Sequence, residues 1–232
     1  MPNPFKDKLR RDEVVVVVNP DHPSPSLTEF VAGLGFDGIF VDCEHGVASV
    51  ERVQEMCRAA RAAGVQSVVR PESAHPWLIT RYLDAGAGGV MVPHVETAEA
   101  ARAVVETVRY ARPRDHQDKV VVIMIESLAA VEALADLLAV EGVDVLFVGP
   151  SDLSHSMGLA AQPHHPEVKA LVKATVGRIR AAGRIAGTLV VRETAAELAA
   201  AGCRYLYEHA NNLLAAGAED FRRRLHVAGQ GS

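Results

Sequence analysis

Charged and titratable residues collect where the apolar runs of this chain stop. GIFVDCE closes on Asp42 and Glu44, with His45 next; QSVVRP closes on Arg70; GGVMVP on Pro93, with His94 next. KVVVIMIES closes on Glu126, and VDVLFVGP on Gly149 and Pro150, followed by Ser151 and Asp152. Two carboxylates on neighbouring strands, Glu126 and Asp152, suit a hard divalent cation with positions left for water and substrate, the pattern of magnesium or manganese. An arginine such as Arg70 forks to a carboxylate or stabilises a developing enolate oxygen. A histidine beside a carboxylate, as His45 is, can act as a general base with its tautomer fixed. Metal, arginine and histidine together suit enolate chemistry on a 2-oxo acid.

Such a constellation needs elements that bring all the strand ends to one place. Eight short β-branched runs recur, at 13–19, 38–44, 66–71, 88–93, 119–127, 143–150, 184–190 and 205–210. They are almost continuously apolar, as a parallel sheet covered on both faces requires. Helical patterns lie between them at 49–64, 97–111, 128–142, 166–183 and 193–202, four of these ending on Gly64, Gly142, Gly183 and Gly202. The alternation predicts an α/β fold, a (β/α)8 TIM barrel, in which polar strand ends ring one mouth. A doubly wound open sheet is the alternative, but GxGxxG and P-loop patterns are absent, and the Gly-rich LDAGAGGVM at 83–91 precedes a strand. The Pro/Ser-rich PDHPSPSLT at 20–28 follows the first strand and belongs on the mouth side.

The length, 232 residues, matches one such barrel, so residues 1–232 are read as a single domain. Aromatics are only 5% of residues, so the core is built from Val, Leu, Ile and Ala. The net charge of −5, with no basic stripe, argues against a nucleic-acid partner. Cys43, Cys57 and Cys203 form no CxxC pattern and suit core thiols in a reducing compartment. The N-terminal MPNPFKDKLRRDE has no apolar core of a secretory leader, and no apolar run approaches the ~18 residues of a membrane span. A cytoplasmic protein without a membrane partner is expected.

FDGIFVDCEHG, VVRP, RYLDAGAGGVMVPHVETAEAA, VVVIMIES and VEGVDVLFVGPSDLSHSMG resemble the HpcH/HpaI aldolase family over about residues 26–160, and more weakly beyond. The resemblance implies a metal-dependent, class II pyruvate aldolase. It would be a carbon–carbon lyase that makes or cleaves a 4-hydroxy-2-oxo acid from a 2-oxo acid and an aldehyde. It makes Glu126 and Asp152 the metal ligands, for Mg²⁺ or Mn²⁺ first and Co²⁺ or Zn²⁺ as others. Arg70 would bind pyruvate and stabilise its enolate. His45, paired with Asp42, would move the proton at the aldol hydroxyl. Gly149, Pro150 and Ser151 would line the pyruvate carboxylate pocket, with amides from Gly149 and Ser151. Asp84, in LDAG, precedes the fourth strand and would reach a neighbour's site in a homo-oligomer, a trimer or hexamer. The C-terminal helix, about 211–226, would serve oligomer contacts.

The sequence also departs from that pattern. The Tyr110–Glu126 segment is short, Met124 stands where relatives carry Gln, and the last strand ends on Glu208 and His209, which could touch substrate. A citrate-type synthase or lyase of the same superfamily is the second reading, and a non-catalytic binding barrel a third, opposed by the set Arg70, Glu126 and Asp152. Singly, each residue has a plainer reading: Asp42, Glu44 and His45 as a capped loop, Asp152 as a helix cap, Arg70 as a structural ion pair. Substrate contact by His94 or His22 stays open. His155, His164 and His165 read as loop and helix-start residues, Cys43 as core, Trp77 as packing, and Arg102, Arg109 and Arg112 as a solvated helix face.

Overall fold

The computed structural model describes residues 3–160 and 162–229. Eight strands, β1 (Val15–Asn19), β2 (Gly38–Asp42), β3 (Gln66–Arg70), β4 (Gly89–Val92), β5 (Val120–Ile125), β6 (Val145–Val148), β7 (Ile185–Leu189) and β8 (Tyr205–His209), close in sequential order into an all-parallel barrel. The predicted (β/α)8 fold is therefore the observed one, and the open-sheet alternative falls.

Successive residues on a strand face opposite sides. One parity of each strand fills the barrel: Val15 and Val17, Phe40, Val68, Met91, Val122 and Met124, Val145 and Phe147, Tyr205 and Tyr207 form one buried cluster. Phe5 and Leu9, on the N-terminal helix Pro4–Arg10, plug its lower end and join that cluster. Lys6 on that helix is tied to Asp144 at 2.9 Å. The other parity packs outward beneath the helices: Ile39 and Val41 against Val53 and Met56, Ile123 and Ile125 against Leu134 and Leu137.

Most helices match the apolar periodicity. Gly64 (φ +83°) and Gly183 (φ +71°) supply the left-handed turns that end the Val50–Ala62 and Pro166–Ala181 helices. The 128–142 stretch is not one helix. It forms Leu128–Glu132 and Leu134–Leu138, jointed at Ala133, and Leu134 and Leu137 on the second piece are buried in the core. The 193–202 stretch is helical only over Ala195–Ala200. Trp77 is exposed rather than packed, and Arg112 is not solvated: it donates to the Leu83 carbonyl and lies 3.5 Å from Asp84. Among the described residues no helix is long and apolar enough to cross a membrane.

Candidate active site

Extending the inward parity by one step past the apolar layers gives Asn19, Asp42, Arg70, Glu126, Gly149 and His209. The alternation that fills the barrel with Val and Phe thus delivers a polar layer at its C-terminal mouth. On β2 the same parity carries one step further, to Glu44.

Asp42 and Arg70 are register partners on adjacent strands. Arg70 donates through Nε to Asp42 Oδ1 (2.9 Å) and through Nη2 to Oδ2 (2.6 Å), a bidentate fork. Its Nη1 lies 2.8 Å from Glu44 Oε2. Both partners are largely buried. Burial works to raise the Asp42 pKa, but the Arg70 hydrogen bonds and charge, with the amides of His45 and Glu44, outweigh it and hold the carboxyl below its usual range. Burial likewise works to lower the Arg70 pKa, and Asp42 and Glu44 reverse it.

Glu44 is the hub of the site. Besides Arg70 it meets His94 Nε2 at 3.0 Å and His45 Nε2 at 3.9 Å. His94 joins it to the next strand end. Its Nδ1 is 3.1 Å from Glu126 Oε1, and its backbone N–H donates to the same oxygen at 2.6 Å. A neutral ring can donate to only one of these two carboxylates. His94 sits at φ +57°, a conformation that costs a β-carbon residue free energy and is held here by these contacts.

Glu126 is almost wholly buried, and its second oxygen, Oε2, has no hydrogen-bond partner among the described residues. Its pKa is raised, first by burial; the His94 amide and charge oppose this, while the charges of Asp152 and Glu44 add to it. Gly149 permits the approach: a Cβ there would stand 3.3 Å from Oε2 and 3.2 Å from the Glu126 Cβ. Asp152 lies in the first turn of the Pro150–Ser156 helix.

Asp42 and Glu44 face the Arg70 guanidinium, while Asp152 and Glu44 act on Glu126 as like charges, so carboxylates outnumber arginine at this mouth. Among the described residues no three His, Cys, Asp or Glu side chains converge as a metal cluster. Glu126 and Asp152 nevertheless fit a divalent cation that also takes water and substrate oxygens, and the orphaned Oε2 is the buried atom such an ion would satisfy.

Some sequence expectations shift. Asp42 does not hold the His45 ring; it is occupied by Arg70 and accepts the Glu44 and His45 backbone amides, while the His45 ring is 66% exposed beside Glu44. The Gly149 amide donates to the Ile125 carbonyl at 3.0 Å, so at this helix start Ser151 and Asp152 are the residues with N–H groups outside the helical ladder. Glu208 is turned from the mouth: its Oε1 accepts the His209 amide and Asn212 Nδ2. Asp84 ends the Pro76–Asp84 helix, away from the mouth, and its side chain is 64% exposed. Cys43 is buried, as expected, and His165 caps the Pro166–Ala181 helix through Nδ1. Glu44 as hub and His94 as bridge were missed. The inward parity 40, 42, 44 could have found the first; no local signal marks the second.

The sequence model of the family described as HpcH/HpaI aldolase/citrate lyase matches residues 21–210. A 2-keto-3-deoxy-L-rhamnonate aldolase of Escherichia coli O9:H4 (strain HS) is 31% identical over 252 aligned positions, covering 98% of this chain and 94% of the relative. Among solved structures, an HpcH/HpaI aldolase/citrate lyase family protein from Burkholderia cenocepacia J2315 superposes with a TM-score of 0.88 at 27% identity, over 97% of this chain and 99% of that one. The citrate synthase SbnG superposes at 0.85 with 26% identity, over 97% and 98%.

Proposed function

The chain belongs to the HpcH/HpaI aldolase/citrate lyase family, and with it to the carbon–carbon lyases, and we propose that it makes or cleaves a 4-hydroxy-2-oxo acid through the enolate of pyruvate. One observation carries this reading: a buried carboxylate, Glu126, with an oxygen unpartnered among the described residues and a raised pKa, linked through His94 and Glu44 to Arg70. Glu126 and Asp152 would hold the cation, Mg²⁺ or Mn²⁺ by the hardness of their oxygens. When bound, a divalent ion polarises the 2-oxo group as a Lewis acid and offsets the enolate's charge.

The chain's own groups do the rest. The Ser151 amide at the helix start meets the substrate carboxylate, and Gly149 keeps that corner free of a side chain. Arg70, locked by Asp42, presents Nη1 to the 2-oxo oxygen and follows its charge as the enolate forms. In cleavage, His45 takes the proton of the C4 hydroxyl. The C3–C4 bond breaks, the aldehyde leaves, and the electron pair passes into the enolate, which gains a proton at C3 to become pyruvate. Synthesis is the reverse, with the proton returned from the His45 ring to the new hydroxyl oxygen.

Asp84 serves a neighbouring subunit in this reading. It borders a groove of about 800 Å³ with exposed Trp77 and Tyr110. The helix Ala210–Gly229 leaves Leu214, Phe221 and Leu225 exposed, which supports homo-oligomer contacts. A second chemistry, citrate-type condensation of the same enolate with a keto acid, is favoured by the likeness to SbnG.

The test is proton–deuterium exchange at the pyruvate methyl group, with EDTA and with added Mg²⁺ or Mn²⁺. Metal-dependent exchange is expected, and its absence with every metal would sink the enolate reading. Product analysis with an aldehyde against oxaloacetate then separates the two chemistries.

A further inference from the structure

The helix that follows β7 is poor in bulk. Of the six residues of Ala195–Ala200, four are alanine and only Leu198 has a long apolar side chain. This helix buries none of its residues, whereas the Pro166–Ala181 helix beside it buries five, Val172 among them. Alanine side chains are too short to fill the space that a barrel helix packs with Leu or Ile. A cavity of about 270 Å³ lies between the two helices and the end of β7. It stands apart from the ring of polar strand ends, for none of Asp42, Arg70, Glu126 and Asp152 lines it.

Its wall is apolar, built on Val172, Leu189, Val191 and Leu198. The two hydroxyls there are already used within the chain: Thr188 Oγ1 donates to the Val148 carbonyl at 2.8 Å, and Thr194 Oγ1 accepts the Val191 amide at 3.2 Å. Such a wall offers water few partners and favours an apolar occupant. The titratable groups that line the cavity, His164, Lys169, Lys173 and Glu197, are all exposed and form its rim. Lys173 lies 3.3 Å from Glu197, so these two offset each other. Lys169 has no ion-pair partner among the described residues. Its methylene stem can follow the apolar wall while the ammonium stays at the rim. A dry interior is thus joined to one unmatched positive charge.

We propose that this cavity is a second ligand site, and that it takes a small monocarboxylate with a saturated tail. The tail fills the space beside the Ala195–Ala200 helix, and the carboxylate meets the Lys169 ammonium. With about 30 Å³ for each small group, the cavity holds roughly nine heavy atoms, the size of a six- or seven-carbon acid. A lone phosphate would leave the apolar volume unfilled, and an uncharged alkane would leave Lys169 unmatched. The site does not depend on the enolate reading, since no group of the mouth takes part.

Hexanoate is the probe, with hexanol and acetate presenting its tail and its head alone. In wild-type protein carrying ¹³C-labelled Val, Leu and Met methyl groups, hexanoate should shift the Val172, Val191 and Leu198 signals. Met56, which lines the separate cavity beside His45, should stay in place. Hexanol should bind at the same methyl groups about tenfold more weakly, and acetate should leave them unmoved. Lys169→Glu, at an exposed position, should weaken hexanoate about tenfold and leave hexanol unchanged. Equal affinity for hexanoate and hexanol in the wild type, or an unchanged hexanoate affinity in Lys169→Glu, overturns the carboxylate assignment. A response confined to Met56, or none from any of the three probes, overturns the site itself.

Discussion

On the β4–β6 wall of the mouth, Glu126 is almost fully buried and one of its oxygens has no partner among the described residues; on the β8–β1 wall, Asp21 engages both of its oxygens, with His209 Nδ1 and the Asn211 amide. The first wall is incomplete as the chain alone builds it. Burial and like charges push the Glu126 pKa up, so the ionised form weighs against folding until a cation arrives. The second wall is complete and leaves only an imidazole nitrogen to speak to a ligand. The contrast separates two ways of preparing a site: storing an unmet charge that an ion must satisfy, or locking a ring in place through a fully engaged carboxylate. Arg70, on β3 between the walls, belongs to both logics, since its charge is met by Asp42 and Glu44 but sits where an enolate oxygen would form.

The sharpest way to break the contrast is Glu126→Gln. Metal-dependent activity should fall about a thousandfold or more, because several kcal/mol of charge stabilisation goes with the cation. The metal-free protein should melt at the same temperature or higher, since a buried charge has gone. A fall in melting temperature without metal would show that the first wall is satisfied after all. Arg70→Ala should cost about 3 kcal/mol in denaturant unfolding, because Asp42 and Glu44 are left uncompensated in a largely buried layer. A loss near zero would mean water already screens them.

The pH dependence sharpens the contrast further. Asp42 has a lowered folded pKa, so its ionised form adds stability that is present above the usual Asp value and is lost as pH falls through the folded value. Unfolding midpoints taken from neutral pH to about pH 3 should fall on that limb, and Asp42→Asn should flatten it; equal slopes would refute the pairing. The smallest effect lies behind the completed wall, at Glu208, which is turned from the mouth. Asn212→Ala removes one donor to Glu208, which keeps the His209 amide, and should cost about 0.5 kcal/mol in the same assay.

Much of this was readable along the chain. Eight β-branched runs, each separated from the next by a helical stretch, marked the strands because buried parallel strands are apolar on both faces. Their polar last residues marked the mouth because inward parity persists one step beyond the core. Pairings were harder. Asp42 was matched to His45, its neighbour in sequence, but the β2–β3 register sets it opposite Arg70, and a bidentate fork outcompetes a single imidazole contact. His94 looked like a strand end of open purpose, and it bridges Glu44 and Glu126. The 128–142 stretch carried one helical period, but the chain breaks it at Ala133 into Leu128–Glu132 and Leu134–Leu138.

Period and punctuation are local properties, so residue order alone settled the α/β barrel, the single mouth and the residue types offered there. Ion pairs and hydrogen bonds are properties of distance. Asp21 and His209 are 188 residues apart, and Glu126 and His94 are 32 apart. Only closure of the barrel sets which carboxylate meets which cation, which is left bare, and how much water remains to soften the difference.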